Sequence, residues 1–528
     1  MSAGEAAVER PNVILLMADQ FRADAMGWTG NPIVQTPNLD ALAARGVAFE
    51  RAFVQCPVCM ASRAALHTGR YPRSTRVRSM GVLPPDEITM AETFRRGGCA
   101  TGLFGKLHLT PMGFTTRELG TDYDQDTAAP FLAAAGIDTP AMRAACEDPY
   151  KRNYGFDVPK GVGDHTWGHY REWLQREAPE HLKHHVSENW GLGREGVQYG
   201  DSPPAARLFQ PIVTDFFDSH LPAEVHPSAY IVRETLAFAR ANQGRPWFAH
   251  TSFVDPHHPF NAPVPFNRRY SPADVPPPPA LDREACFPPG LPEPVQARIA
   301  RYAQAGDDLW QWARANYYGM VSHIDWCIGQ LIDGLAAQGQ LDNTLIVFTA
   351  DHGEYVGDHR LLYKGSLLFD GIMRVPLLFV WGERLQAGRR IQSLVQEIDV
   401  YPTVMSLAGL PVHAGVQGIS LAPMLTRGSD QGQAGGEEFG YDRVVCELDL
   451  LPDPQYQPSQ AIRSKEWKLD YFPVARTGLL FNLVDDPLER RNLFFQPSCA
   501  AVREELLRDL VQHLYESKDP LPIRLSQA

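Results

Sequence analysis

The sequence predicts an α/β protein: a large, mostly parallel sheet flanked by helices, followed by a smaller C-terminal α+β unit. Three observations carry this. Asn12-Val-Ile-Leu-Leu-Met-Ala-Asp19 and Thr344-Leu-Ile-Val-Phe-Thr-Ala-Asp351 are unbroken apolar runs, the pattern of strands buried on both faces, and each ends on a carboxylate. Strand and helix signals alternate along much of the chain, which is the grammar of a parallel sheet. At 528 residues the chain also exceeds the ~250–300 over which a single core usually grows, so a large unit with a smaller companion is the natural division.

The elements follow in order. Residues 1–10 carry neither a basic segment nor an apolar one and read as a disordered N-terminus without a secretory signal, so cytoplasmic residence is expected. After the first strand, Thr36-Pro37 supplies a cap and a first-turn proline, and Gly46 a stop, so residues 37–45 form a helix. Ala61 to His67 are good helix formers ahead of Gly69, which puts Cys59 at or just before a helix N-terminus. Thr89-x-x-Glu92 is a capping box that opens a short helix ending at Gly97-Gly98, and an apolar stretch runs from Ala100 to Phe104.

Residues 110–230 lose the alternation and read as loops and helices over the sheet edge; Trp167, Tyr170 and Trp173 are read as local core, with a wall of the substrate pocket as the alternative. Trp247 to Val254 is strand-like, and the prolines of Asp255-Pro-His-His-Pro-Phe260 fix a turn behind it. Residues 272–295 form a proline-rich surface loop, 315–338 a helix, and 426–436 a polar linker. The linker separates a main unit, 11–430, from a C-terminal unit, 437–528, of small antiparallel sheet and terminal helix.

Composition narrows the function. Hydrophobic residues at 44% and charged residues at 21% are ordinary for a globular protein, and no apolar run approaches the ~18 residues of a membrane span. A net charge of -13 argues against nucleic acid or an anionic membrane as partner. The eight cysteines are scattered and contain a single C-x-x-C, Cys56 to Cys59, which argues against a disulfide framework or a four-cysteine zinc site.

Chemistry gathers at the predicted strand ends. Ligands of open α/β sheets bind beyond the carboxyl ends of strands, where Asp19 and Asp351 would meet; the plain alternative is that each caps the next element. Asp351-His352 is a suitable ligand pair for a divalent cation. His257 is presented by its turn. Lys106 and His108 fall on one side if the chain stays extended, and Lys364 adds a charge beyond Asp351. At the helix N-terminus Cys59 favours an anion, which leaves a redox pair and a nucleophile both open.

Taken in order, MADQ at 17–20, TPNLDALAARGVAFERAF at 36–53, CMASRAALHTGRYP at 59–72, GKLHL at 105–109, DPHHPF at 255–260, TLIVFTADHGEYVGDH at 344–359, LLYKG at 361–365 and LFNLVDDPLERRNL at 480–493 resemble the sulfatase family of the alkaline phosphatase superfamily. The resemblance spans most of the chain. It implies an alkaline phosphatase-like fold and a cysteine, Cys59 in C-x-[PA]-x-R with Arg63, that a formylglycine-generating enzyme oxidises to formylglycine, hydrated to a geminal diol.

It further implies one divalent metal, calcium or manganese (magnesium also suits such ligands), held by Asp19, Asp351, His352 and the modified Cys59. Gln20 stands where many sulfatases have a second aspartate, a choice similar to choline sulfatases and phosphonate monoester hydrolases. In the implied reaction a diol oxygen attacks sulfur or phosphorus in line, and His257 protonates the departing alcohol. Lys106, Lys364 and Arg63 stabilise the transferring group, and His108 helps deprotonate the second hydroxyl, which expels the anion.

Two positions depart from the family pattern: Ala61 replaces the usual proline and bears on how well Cys59 is modified, and Met80 replaces an asparagine that contacts the substrate anion. Arg70, Arg73, Arg76 and Arg78 either supply compensating charge or form a solvated run. The expected function is hydrolysis of sulfate esters, with small anionic esters as substrates. Phosphonate monoester or phosphodiester hydrolysis at the same site is the alternative, and a non-catalytic binding relative is the third reading. Oligomeric state is left open between monomer and homo-oligomer.

Overall fold

The computed structural model describes residues 10–84, 86–110, 154–163, 166, 168–184, 219–426, 439–449 and 457–521. The expected disorder at the N-terminus, most of the 426–436 linker, Trp167 and much of 110–230 lie outside these residues.

Among the described residues nine strands form one mixed sheet: β1 Asn12–Ala18, β2 Val47–Phe53, β3 Ala100–Gly105, β4 Val158–Gly161, β5 Trp247–Phe253, β6 Thr344–Ala350, β7 Arg374–Val380, β8 Arg389–Ile391 and β9 Val395–Gln396. The spatial order is β4-β3-β5-β1-β6-β7-β2-β8, with β9 also on β2. Pairing is parallel except where β7 meets β6 and β2. Strands β1, β5 and β6 are buried along their whole length, which is why their sequences run apolar without alternation.

The helices cover the sheet where their patterns place them. Helix α1 occupies Pro37–Arg45, α2 Cys59–Thr68, α3 Met90–Arg96, α4 His169–Glu177, α5 Pro227–Ala241 and α6 Asp307–Ala337. Helix α6 starts eight residues before its expected 315, because the acidic pair Asp307 and Asp308 suits a helix N-terminus and Leu309, Trp310 and Ala313 already face the core. Thr36 makes no side-chain cap to α1; its hydroxyl accepts from Gly27 N at 2.8 Å instead. Thr89 does cap α3, accepting from Glu92 N at 3.1 Å, while Glu92 pairs with Arg95 and Arg96.

Strands β10 Val444–Leu448, β11 Ser459–Arg463, β12 Trp467–Phe472 and β13 Thr477–Asn482 form a separate antiparallel sheet, with α7, Ala500–Glu516, packing Leu506 and Leu510 on Val445, Ile462, Leu469 and Leu480. This small sheet grips the large one through buried charge. Lys468 is fully buried between Asp370, at 3.2 Å, and Glu489; Arg463 reaches Asp370 at 3.2 Å; and Leu368 N donates to Asp470 at 2.9 Å. No described helix is long and apolar enough to cross a membrane.

Candidate active site

Four adjacent strands deliver the site. Ala18 pairs with Ala350 in the parallel β1–β6 ladder, so Asp19 and Asp351 leave neighbouring strands side by side. On the other side of β1, Ala18 pairs with Phe253 of β5, whose chain continues to Asp255 and His257; β3 lies beyond, with Gly105 beside Ser252 and Lys106 next. Helix α2 then points its N-terminus, with Cys59 as first residue, at the same edge.

Asp19, Asp351 and His352 converge there, all completely buried. His352 Nε2 lies 3.9 Å from Asp19 Oδ1 and 3.9 Å from Asp351 Oδ1. Its Nδ1–H donates to Gly353 O at 2.8 Å, which leaves the Nε2 lone pair facing the carboxylates. Asp19 Oδ1 and His352 Nε2 have no hydrogen-bond partner, although both are buried. Two oxygens and an imidazole nitrogen, spaced too widely to bond one another and aimed at one point, fit a divalent cation. The ligand cluster does not itself include Cys59, whose sulfur lies 4.0 Å from Lys364 Nζ.

Burial opposes ionisation of Asp19, but the Lys106 ammonium, with His257, Arg63 and Lys364, holds its carboxyl well below the usual carboxylate range. Lys106 is fully buried and ion-paired to Asp19. Arg63, also fully buried, donates to Asp351 Oδ2 at 2.7 Å, Asp19 Oδ2 at 3.2 Å, Ser252 Oγ at 2.9 Å and Lys106 O at 2.6 Å. It therefore sits beneath the carboxylates as their counter-ion, where the sequence expectation had it facing the transferring group. Burial disfavours its charge, yet Asp351 and Asp19 raise its pKa further.

His257 and Lys364 close the open side: Lys364 Nζ lies 3.4 Å from His257 Nε2 and 3.3 Å from Gln20 Oε1, while His257 Nδ1–H donates to His258 O at 2.7 Å. Lys106 and His108 do not share one side of an extended chain. Gly105 ends β3 at φ +101°, a conformation in which a Cβ would collide with the Ser252 carbonyl, and His108 is left-handed at φ +56°. Both are nonetheless buried beside this edge.

One residue went unassigned in the sequence. Glu354 accepts from the Gln20 side-chain amide, Val356 N at 2.9 Å and Tyr363 N, and so turns Gln20 Oε1 toward Lys364. Burial lifts its carboxyl to about 7, offset in part by those amides. Its signal was its place directly after Asp351-His352-Gly353.

The arginine run is not free charge: Arg70 pairs with Glu87 and Asp519, Arg73 with Glu447, Arg76 with Asp86 and Arg78 with Asp449. Cys56 is a packed thiol, raised by burial, with Sγ 3.8 Å from Arg78 O. Tyr170 and Trp173 stack in the core at 6.0 Å.

Comparison with known proteins agrees with this architecture. The Sulfatase family model matches residues 11–410, and the model for the C-terminal region of N-sulphoglucosamine sulphohydrolase matches 356–516. An arylsulfatase of Clostridium perfringens is 26% identical over 92% of this chain and 90% of its own. A multifunctional alkaline phosphatase superfamily protein of Trinickia caryophylli is 28% identical over 95% and 94%. The crystal structure of the phosphonate monoester hydrolase of Agrobacterium radiobacter superposes with a TM-score of 0.74 at 26% identity, covering 98% of each chain. A family model spanning three-quarters of the sequence, laid over a sheet edge that collects this ligand cluster, makes the chain an enzyme of the sulfatase family, within the alkaline phosphatase superfamily.

Proposed function

We propose that the protein hydrolyses sulfate esters of small anionic substrates, with Cys59 converted to formylglycine by a formylglycine-generating enzyme and a divalent cation, calcium or manganese, held by Asp19, Asp351, His352 and the modified residue 59. The observation that carries this is the placement of Cys59 at the start of α2, with Lys364 4.0 Å away, beside the Asp19, Asp351 and His352 cluster. The cation would acidify a hydroxyl on residue 59 and draw charge from the transferring group. The hydrated aldehyde supplies that hydroxyl as nucleophile, which a thiol cannot regenerate after transfer.

The chain's own groups do the rest. The helix N-terminus and Lys364 favour negative charge at residue 59. With Nδ1–H committed to the His258 carbonyl, His257 moves protons at Nε2, the nitrogen beside Lys364. An anionic ester against Lys364 offsets its charge and lets Nε2 carry the proton that the leaving oxygen needs. Lys106 and Arg63 are the ion-pair partners of Asp19 and Asp351, and His108, buried shortly after β3, is the group assigned to free the product anion.

Two measurements test this. Peptide mass spectrometry on protein from its native host should find residue 59 as an aldehyde; finding only cysteine there defeats the mechanism, and would favour a binding relative. Steady-state kinetics should give an aryl sulfate a kcat/KM at least equal to that of a phosphodiester and a phosphonate monoester. The phosphonate reading is kept because of Gln20 and the likeness to phosphonate monoester hydrolases, and a sulfate kcat/KM far below the other two would establish it in place of ours.

A further inference from the structure

A second set of metal-type ligands lies behind the turn that carries His257. His226, the residue capping α5, Asp255, at the end of β5, and His323, inside α6, bring a ligand atom each within 4.8 Å of the others. Their exposures are 4%, 5% and 0%. His226 Nε2 is 3.5 Å from Asp255 Oδ2, His323 Nδ1 is 3.8 Å from the same oxygen, and the two rings stand perpendicular with centroids 4.6 Å apart.

Those spacings decide between two arrangements. A hydrogen-bonded His-Asp-His chain needs contacts of about 2.7–3.2 Å, and neither imidazole approaches that closely. Asp255 Oδ2 and His323 Nδ1 accordingly have no hydrogen-bond partner, a costly state for a buried carboxylate oxygen and ring nitrogen. Ligands about 2.0–2.1 Å from a tetrahedral ion stand about 3.3–3.5 Å apart, close to what is observed. The same signature, wide spacing and orphaned buried atoms, marks the Asp19, Asp351 and His352 cluster.

The surroundings fit coordination. His323 Nε2 lies 3.5 Å from Cys327 Sγ; with the Nε2 proton against sulfur, the Nδ1 lone pair faces Asp255. Around His226, Ser228 N donates to Nδ1 at 3.3 Å, a long contact that puts the neutral ring's proton on Nε2. A cation at Nε2 would need the other tautomer, with the proton on Nδ1 and the long Ser228 N contact given up. Phe266 and Trp326 flank His323 at 5.2 and 5.9 Å and form an apolar wall on its side of the cluster.

We propose that His226, Asp255 and His323 form a second divalent-cation site of zinc type, distinct from the catalytic cluster, whose ion staples α5 and α6 to the segment presenting His257. Two imidazoles and one carboxylate suit a borderline cation such as zinc, with water in the fourth position, whereas the catalytic set is richer in oxygen. The proposal does not depend on the reaction proposed above.

The test counts metal and does not read activity. Full-length protein carrying Asp19→Asn and His352→Asn, stripped with chelator and then given zinc alone, should retain one equivalent by mass spectrometry of the metal, and adding Asp255→Asn should weaken binding at least about 10- to 100-fold. Cobalt loaded into the parent double variant should show the intense visible bands of a four-coordinate ion bound by imidazole. If Asp255→Asn does not fold, His323→Gln serves in its place. Absence of stoichiometric zinc from the folded double variant, a six-coordinate cobalt spectrum, or unchanged affinity in Asp255→Asn overturns the proposal. Loss of zinc only when Asp19 and His352 are replaced would show a single site, at the catalytic cluster.

Discussion

Arg63 shows how a residue named by a motif can have its work set by the fold. It lies one helical turn into α2, under Asp19 and Asp351, and supplies the charge that lets two carboxylates lie buried side by side. Arg63→Met leaves Asp351 without its ion pair and Asp19 with Lys106 alone, and should lower unfolding stability by about 3–5 kcal/mol, as measured by denaturant titration with the metal removed. Manganese should shrink that deficit, since a bound cation takes over part of the neutralisation; an equal deficit with and without metal would show that Arg63 acts by packing alone. The pattern Cys-x-Ala-x-Arg was legible in the sequence, but the direction of the guanidinium was not, because it depends on which strands end beneath the helix. His226 and His323 carried no local signal at all. One precedes a proline and the other interrupts an apolar helix face, and only the tertiary fold brings them to Asp255.

At the scale of elements, the sheet was readable wherever burial on both faces made strands uniformly apolar. Strands β1 and β6 and the aspartates behind them were found this way, whereas Lys106 and His108 were misplaced because Gly105 turns the chain out of the strand. Leu16 lies in the middle of β1 at 0% exposure, so Leu16→Ala should cost about 2–5 kcal/mol in equilibrium unfolding. On β12, burial lifts the Asp470 carboxyl from its ordinary 3.8 to about 7. Between those values the folded chain holds a proton that the unfolded chain has lost. The stability present below about pH 4 therefore drains away as pH rises to about 7, at up to about 1.4 kcal/mol per pH unit. Asp470→Asn keeps an acceptor for Leu368 N and should flatten that slope in thermal melts taken from pH 4 to 8.

Over the whole molecule, the two sheets are coupled by a fully buried ammonium. Lys468 of the small sheet is paired with Asp370 and Glu489, and Asp370 lies six residues beyond Lys364. Lys468→Met should cost about 3–5 kcal/mol and also loosen the segment that brings Lys364 to the site. Hydrogen exchange should report faster opening of 353–371 in this variant, and exchange unchanged there would show that the small sheet is only an appendage. Nothing in the sequence discloses this coupling, since Lys468 reads as an ordinary strand charge until its partners are known.

The β1–β6 register has one more consequence, for the order of events in folding. Asp19 and Asp351 become neighbours only after the intervening chain has closed and Ala18 has met Ala350. Such a high-contact-order pair cannot seed assembly, because the closure entropy precedes any gain from binding an ion. A cation bound at this cluster would be a latch engaged after the transition state: it should leave the refolding rate of the stripped chain nearly unchanged and slow unfolding by nearly the whole of its binding energy. For this enzyme, metal supply would set lifetime more than folding yield.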